Sequence, residues 1–146
     1  MQQLWDGLRR VRSVRFVCQS DNPERRGSGA GSVATESPSE SILVYRESGH
    51  WQPGTGRELS FTNVFRWTHN RPELIRLEHL RFGLDHPVFL FDLGLSADGE
   101  WSSVRPHLCE RDCYSAKLSL QKSGVSVAWI VTGPKKNDRM EYFYSW

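Results

Sequence analysis

The chain has 146 residues, 38% hydrophobic and 12% aromatic, with 19 basic and 17 acidic side chains and a net charge of +2. That is the length of one domain, taken here as residues 1–146, with enough apolar material for a core. The near balance of charge gives no electrostatic reason for nucleic acid or an anionic membrane as partner.

Residues 2–9 carry Leu4, Trp5 and Leu8 at helical spacing and predict one short helix, expected as a plug at one end of the fold. Residues 11–18 then alternate, with Val14, Phe16 and Cys18 on one face. Residues 21–28 form a polar loop, and residues 29–36 predict a strand rich in small side chains. Residues 42–48 predict a third strand, and residues 49–57 a Gly/Pro turn that contains Trp51. Residues 59–68 alternate cleanly, with Leu59, Phe61, Asn63, Phe65 and Trp67 on one side. Residues 74–82 follow, with Ile75 and Leu77 on one face and Leu80 and Phe82 on the other.

The run at residues 88–95 is almost wholly apolar, so it is expected to be covered on both faces, on one of them by the N-terminal helix. Residues 101–105 make a short strand that breaks at Pro106. Residues 114–120 alternate through Tyr114, Ala116, Leu118 and Leu120, and the next run aligns Val125, Val127, Trp129 and Val131. Gly133 and Pro134 stop that run, and Met140, Tyr142, Tyr144 and Trp146 form the last stripe.

Short strands joined by short turns, with no crossover helix, predict sequential antiparallel pairing. Closure removes the exposed edges of such a sheet. The expected fold is therefore all-β: a single antiparallel up-and-down β-barrel of about ten strands with a short N-terminal helix. A barrel interior can hold a ligand. Seven Phe, six Trp and four Tyr are also enough to fill it, which would leave a protein-interaction module.

Within the strands, the polar residues Asn63, His79 and Arg81 continue or border apolar stripes. Inward-facing polar groups need a partner or a ligand. Asn63, Phe65, Trp67, His79, Arg81 and Trp129 are the ligand-binding candidates, with Phe61, Leu77 and Val127 as further apolar wall. The expected ligand is small, apolar in its main part, and anionic or hydrogen-bonding at one end. Arg81 is the candidate partner for a carboxylate, since its guanidinium binds two oxygens at once; its other reading is a solvent-facing group at a strand end.

The densest group of reactive side chains is His107, Cys109, Asp112, Cys113 and Tyr114. Zinc on His107, Cys109 and Cys113 lacks any standard ligand spacing, so no metal is expected. An alternative function is an enzyme in which His107, Asp112, Tyr114 and Lys136 meet at the barrel mouth as acid/base groups. The structural alternative has His107 and Asp112 hydrogen-bonding the loop that leads into Tyr114. The segment around Lys135 and Lys136 lacks P-loop spacing, Gly27, Gly29 and Gly31 make no dinucleotide fingerprint, and no GxSxG is present, so no cofactor is implied.

Three cysteines, an odd number, fit free thiols in a reducing compartment. No apolar run has the length of a membrane span, and the first ten residues lack the pattern of a signal peptide. The expected location is the cytoplasm; the Arg-bearing start is also compatible with an organellar address.

Five strings carry a family resemblance: Phe61-Thr-Asn-Val-Phe-Arg-Trp67, Arg76-Leu-Glu-His-Leu-Arg-Phe-Gly83, Pro87-Val-Phe-Leu-Phe-Asp-Leu93, the HxCxxDxY motif at residues 107–114, and Gly133-Pro-Lys-Lys136. Together the strings resemble a family of calycin-like, lipocalin-shaped barrel domains of unknown function. The resemblance implies the barrel; the family's members have no established activity, so it brings no catalytic residue. The start departs from the LxGxW pattern expected of many bacterial members, so the analogy to the tryptophan under a lipocalin floor is not carried over.

Overall fold

The computed structural model covers Met1–Trp146 and describes every side chain except those of Asn70 and Cys109. One helix, α1 (Gln2–Arg10), precedes eleven strands. They are β1 (Ser13–Ser20), β2 (Gly27–Ser39), β3 (Ile42–Pro53), β4 (Leu59–Arg71), β5 (Leu74–His79), β6 (Val88–Leu95), β7 (Trp101–Ser103), β8 (His107–Cys109), β9 (Asp112–Gln121), β10 (Gly124–Gly133) and β11 (Lys136–Ser145). All pairings are antiparallel and follow chain order, except that β7 pairs with β9 past β8 and that β1 closes the ring by pairing with β11. Ten strands form the closed barrel; the short β8 lies outside that ring and pairs with β9 alone. The all-β antiparallel barrel expected from the alternation is the observed fold. No helix is long and apolar enough to cross a membrane.

The helix α1 plugs one end of the barrel. Leu4, Trp5 and Leu8 are buried beneath it, as their spacing predicts. The Trp5 indole donates to the Glu40 carbonyl at 2.9 Å, and the Tyr45 hydroxyl donates to the Leu8 carbonyl at 2.6 Å. Trp5 therefore fills the barrel floor from the helix. Arg9 and Arg10 in the last turn suit the negative end of the helix dipole. The helix packs chiefly on β10 and β2 rather than on β6. The outer face of β6 is covered instead by polar groups: Arg76 pairs with Asp92 and lies 5.2 Å over the Phe89 ring.

Above the plug, Leu43, Tyr45, Trp67, Ile75, Leu77, Leu93, Leu118, Val125, Val127 and Tyr144 form a dry layer, all at or below 2% exposure. The outer face carries cross-strand ion pairs that follow from register, such as Arg66 opposite Glu78 at 2.8 Å.

The open half of the barrel has two unlike sides. On the β1–β4 side the small residues of β2 make room for large neighbours. Phe16 packs against Trp51, Phe61 and Tyr142, with ring centroids 5.1–5.5 Å apart. Gly29 faces Phe16, and Gly31 faces Gly49 across β2 and β3, where a Cβ would run into the Ser48 backbone. Gly31→Ala is thus expected to destabilise by about 1–3 kcal/mol, as for overpacking against backbone. A urea midpoint equal to that of the native chain would refute this close approach.

Several boundaries depart from the alternation pattern. The expected turn at residues 49–57 begins only after Pro53, because Gly49 and Trp51 continue β3 opposite Phe61 and Leu59. The strand expected over residues 74–82 ends at His79, so Arg81 and Phe82 lie in the β5–β6 connection. Phe82 is 64% exposed there instead of forming a buried face with Leu80.

Candidate functional site

The β5, β6, β9 and β10 side of the open half is not filled. A cavity of about 330 Å³ opens there. Its wall contains Phe65, Phe91, Trp129 and Tyr142 as aromatic surface, and Asn63, His79, Arg81, His107 and Tyr114 as polar groups. Trp129 meets the rings of Phe65 at 6.0 Å and Phe91 at 5.4 Å, both edge-on. Apolar walls with a few polar anchors are the usual make-up of a small-molecule site.

Alternation and register explain the convergence. Asn63, Phe65 and Trp67 point inward from β4, and Phe65 stands opposite His79 of β5. Trp129 and Tyr142 point inward from β10 and β11. Five of the six ligand-binding candidates, Asn63, Phe65, His79, Arg81 and Trp129, therefore line one cavity. Trp67 does not: it is 1% exposed in the dry layer below. The expected wall residues Leu77 and Val127 are also in that layer, and Phe61 packs on Phe16 on the filled side. Trp67, Leu77 and Val127 were misplaced because a shared stripe gives a residue's face but not its height in the barrel, and Phe61 because it does not give the side of the open half. Trp129 is only half-buried, one side forming the cavity wall.

His79 is held below its ordinary value, first by burial and then by the Arg81 charge, so its imidazole is neutral near pH 7 and offers one donor and one acceptor. Arg81 is exposed and stacks 4.8 Å over Phe82 at the rim. It thus both borders the cavity and faces water.

Glu47 is a buried side chain outside the sequence-based candidates. It points inward from β3 and is 2% exposed. Tyr144 donates to one carboxylate oxygen at 2.8 Å, and Asn63, directly opposite on β4, donates to the other at 3.2 Å. Burial raises the Glu47 pKa, and these two hydrogen bonds oppose the rise. The Tyr144 hydroxyl is in turn pushed well above its ordinary value by burial and by Glu47. Glu47 orients Asn63, which lines the cavity, so a carboxyl group lies just beneath its polar wall. The signal was present in the Leu43, Tyr45, Glu47 alternation.

The other candidate group is contiguous. Lys136 forms an ion pair with Asp112, and its ammonium lies 3.4 Å from the Tyr114 hydroxyl. Gly133 packs on Asp112, where no Cβ would fit. Hydrogen bonds to Asp112 and Tyr114 raise the Lys136 pKa, which keeps it an ammonium and removes it as a base. His107 differs from expectation: it makes no hydrogen bond to the loop among the described residues. It packs edge-on to Phe89 at 5.2 Å and lies 6.0 Å from the Tyr114 ring. The reason is local. The expected corner is the short strand β8, which turns His107 onto the same face as its partner Tyr114. Among the described residues no three His, Cys, Asp or Glu side chains gather as metal ligands; the Cys109 side chain of the zinc reading lies outside the described residues.

Among curated proteins, none matches the chain. A solved structure similar to it is a de novo designed, fluorescence-activating β-barrel, with 12% identity, a TM-score of 0.47 and 96% of each chain covered. A family model matches residues 4–145, nearly the whole barrel with its plug, and the chain accordingly belongs to that family, described as "Family of unknown function (DUF6314)".

Proposed function

We propose that the protein binds a small, partly apolar molecule in the open half of its barrel, in the manner of calycins. One observation carries the reading: a cavity of about 330 Å³ at the unplugged end, with aromatic walls and a few polar groups. That volume is at the lower end of the range for small-molecule pockets. The apolar body of the ligand lies against Phe65, Phe91, Trp129 and Tyr142. Its anionic or hydrogen-bonding end meets Arg81 and His79 at the rim, and Asn63 supplies a polar contact deeper in.

The two other readings have less support. A filled interaction module fits only the Phe16 side of the barrel. Acid/base chemistry at His107, Asp112, Tyr114 and Lys136 would have to proceed with Lys136 neutralised by Asp112.

The test is titration with a fluorescent fatty-acid analogue. The native protein is expected to bind it, and Arg81→Gln to weaken binding about tenfold, as for loss of a charge-assisted hydrogen bond. Arg81 is exposed, so the substitution leaves the fold intact. Equal affinity in both proteins removes Arg81 as the anchor, and no binding by the folded native chain removes the reading.

A further inference from the structure

The barrel wall is breached beside the cavity. β6 is held to the following strand only by its C-terminal half: Leu93, Gly94 and Leu95 face Ser103, Ser102 and Trp101, and the Val104 amide donates to the Asp92 carbonyl at 2.8 Å. Pro106 has no N–H with which to continue this ladder. The chain resumes as β8, which pairs with β9 and not with β6. β6 also bends at this height: Leu77 faces Phe91 and Glu78 faces Phe89, so Leu90 is the extra residue of a bulge.

Only side chains close the breach. The rings of Phe89 and His107 meet across it, edge-on at 5.2 Å. The same two rings border both the inner cavity and a groove of about 540 Å³ on the outer surface. That groove is lined by Pro106 and Leu108 with Arg76, Asp92 and Arg105. Leu108 is 73% exposed and Val104, nearby in sequence, is 62% exposed, an apolar lip that the fold itself does not require. One ring pair thus separates two concave surfaces, and a ring pair is a weak latch beside a run of ladder hydrogen bonds.

We propose that cavity and groove are two parts of one site for a long-chain amphiphile, joined when Phe89 and His107 part. This rests on the reading of the cavity as a binding site. The anionic end sits at Arg81, the first part of the chain crosses the aromatic cavity, and the far end leaves through the breach to lie on Pro106 and Leu108. The ligand class is then a fatty-acyl carboxylate rather than a compact aromatic acid.

Saturated fatty acids from octanoate to palmitate, displacing the fluorescent analogue, test the assignment. In the native protein affinity is expected to keep rising with chain length, by about fourfold per methylene at most. Leu108→Asp, at an exposed position, is expected to weaken palmitate about tenfold or more and to leave octanoate unchanged. Loss or retention of both acids together overturns the bipartite site while the cavity reading stands. Absence of any binding by the native chain overturns both. A ligand-free measurement tests the breach itself. With Cys18, Cys109 and Cys113 replaced by serine, Met140→Cys places a thiol in the cavity wall for a thionitrobenzoate disulfide reagent. Phe89→Ala is expected to speed its labelling about tenfold. An unchanged rate, or acceleration by Phe82→Ala at the rim instead, overturns the side opening.

Discussion

Replacing Trp67 with alanine is expected to cost about 3–5 kcal/mol, the range for deleting a fully buried large aromatic. Trp67 is 1% exposed, and its ring packs 5.9 Å from Tyr45 in the layer above the plug. With typical stabilities of about 5–15 kcal/mol, the loss takes a large share of the total. Its indole N–H has no acceptor among the described residues, so Trp67→Phe forfeits volume but no hydrogen bond and should cost clearly less. Trp129→Ala separates core from cavity wall. Trp129 already has one side on the cavity, so the loss in stability should be smaller, roughly 2 kcal/mol, with the main effect on binding of the fatty-acid analogue. Urea midpoints for the three variants check the order. If Trp129→Ala destabilised as much as Trp67→Ala, the division into dry layer and open cavity would be wrong.

The second large effect expected is on the pH dependence of stability, through Glu47. Its pKa in the folded barrel is raised above the ordinary 4.5 by burial. Between the unfolded and the folded pKa, the unfolded chain has released the proton that the barrel still holds. Folding stability is therefore greatest below the unfolded value and falls as pH rises through the folded one. Glu47→Gln removes the ionisation. The glutamine can accept from Tyr144 and donate to Asn63 once the Asn63 amide turns over, so the hydrogen bonds survive. The variant should be more stable than the native chain near pH 7 and equal to it at low pH. His79 acts in the opposite sense. Its folded pKa is lowered below 6.5, so its contribution is present above that unfolded value and lost as pH falls through the folded one. The difference between native and Glu47→Gln cancels this term. Glu47→Ala is the contrasting case: it leaves Tyr144 and Asn63 without their acceptor and opens a void, so that relative to Glu47→Gln it costs about 2–4 kcal/mol at all pH values. Parallel stability curves for native and Glu47→Gln between about pH 4 and pH 8 would show that Glu47 does not titrate with folding.

The cavity wall was partly legible because period-two alternation determines the face of each strand residue. Asn63 and His79 continue the apolar stripes of Phe65 and Leu77, which placed them inside. Phe89 and Leu90 were not legible, because their run is almost wholly apolar and bulges at Leu90, so no alternation assigns them a face. The stripe that Met140 shares with Tyr142 gave its face but not its place in the cavity wall. His107 was read as a hydrogen-bonding corner because Pro106 marks an interruption, and interruptions usually hold polar side chains against loop backbone. The strand that resumes immediately after Pro106 is too short for any pattern to announce it.

Taken by itself, the sequence determined all the strands but β8, their antiparallel pairing and the helix at one end. These follow from local alternation, turn chemistry and the shortness of the connections. Only the tertiary structure decided which half of the barrel is filled. A cavity is the difference between the volume the wall encloses and the volume of the side chains that converge on it. That difference depends on curvature, on the Leu90 bulge and on the break at Pro106, and it is set by residues from β4, β6, β9, β10 and β11 that no local pattern relates. It leaves Phe16, Trp51 and Phe61 packed together on one side and Phe65, Phe91 and Trp129 around an open space on the other, although Phe16, Phe61, Phe65 and Trp129 belong to equally regular stripes.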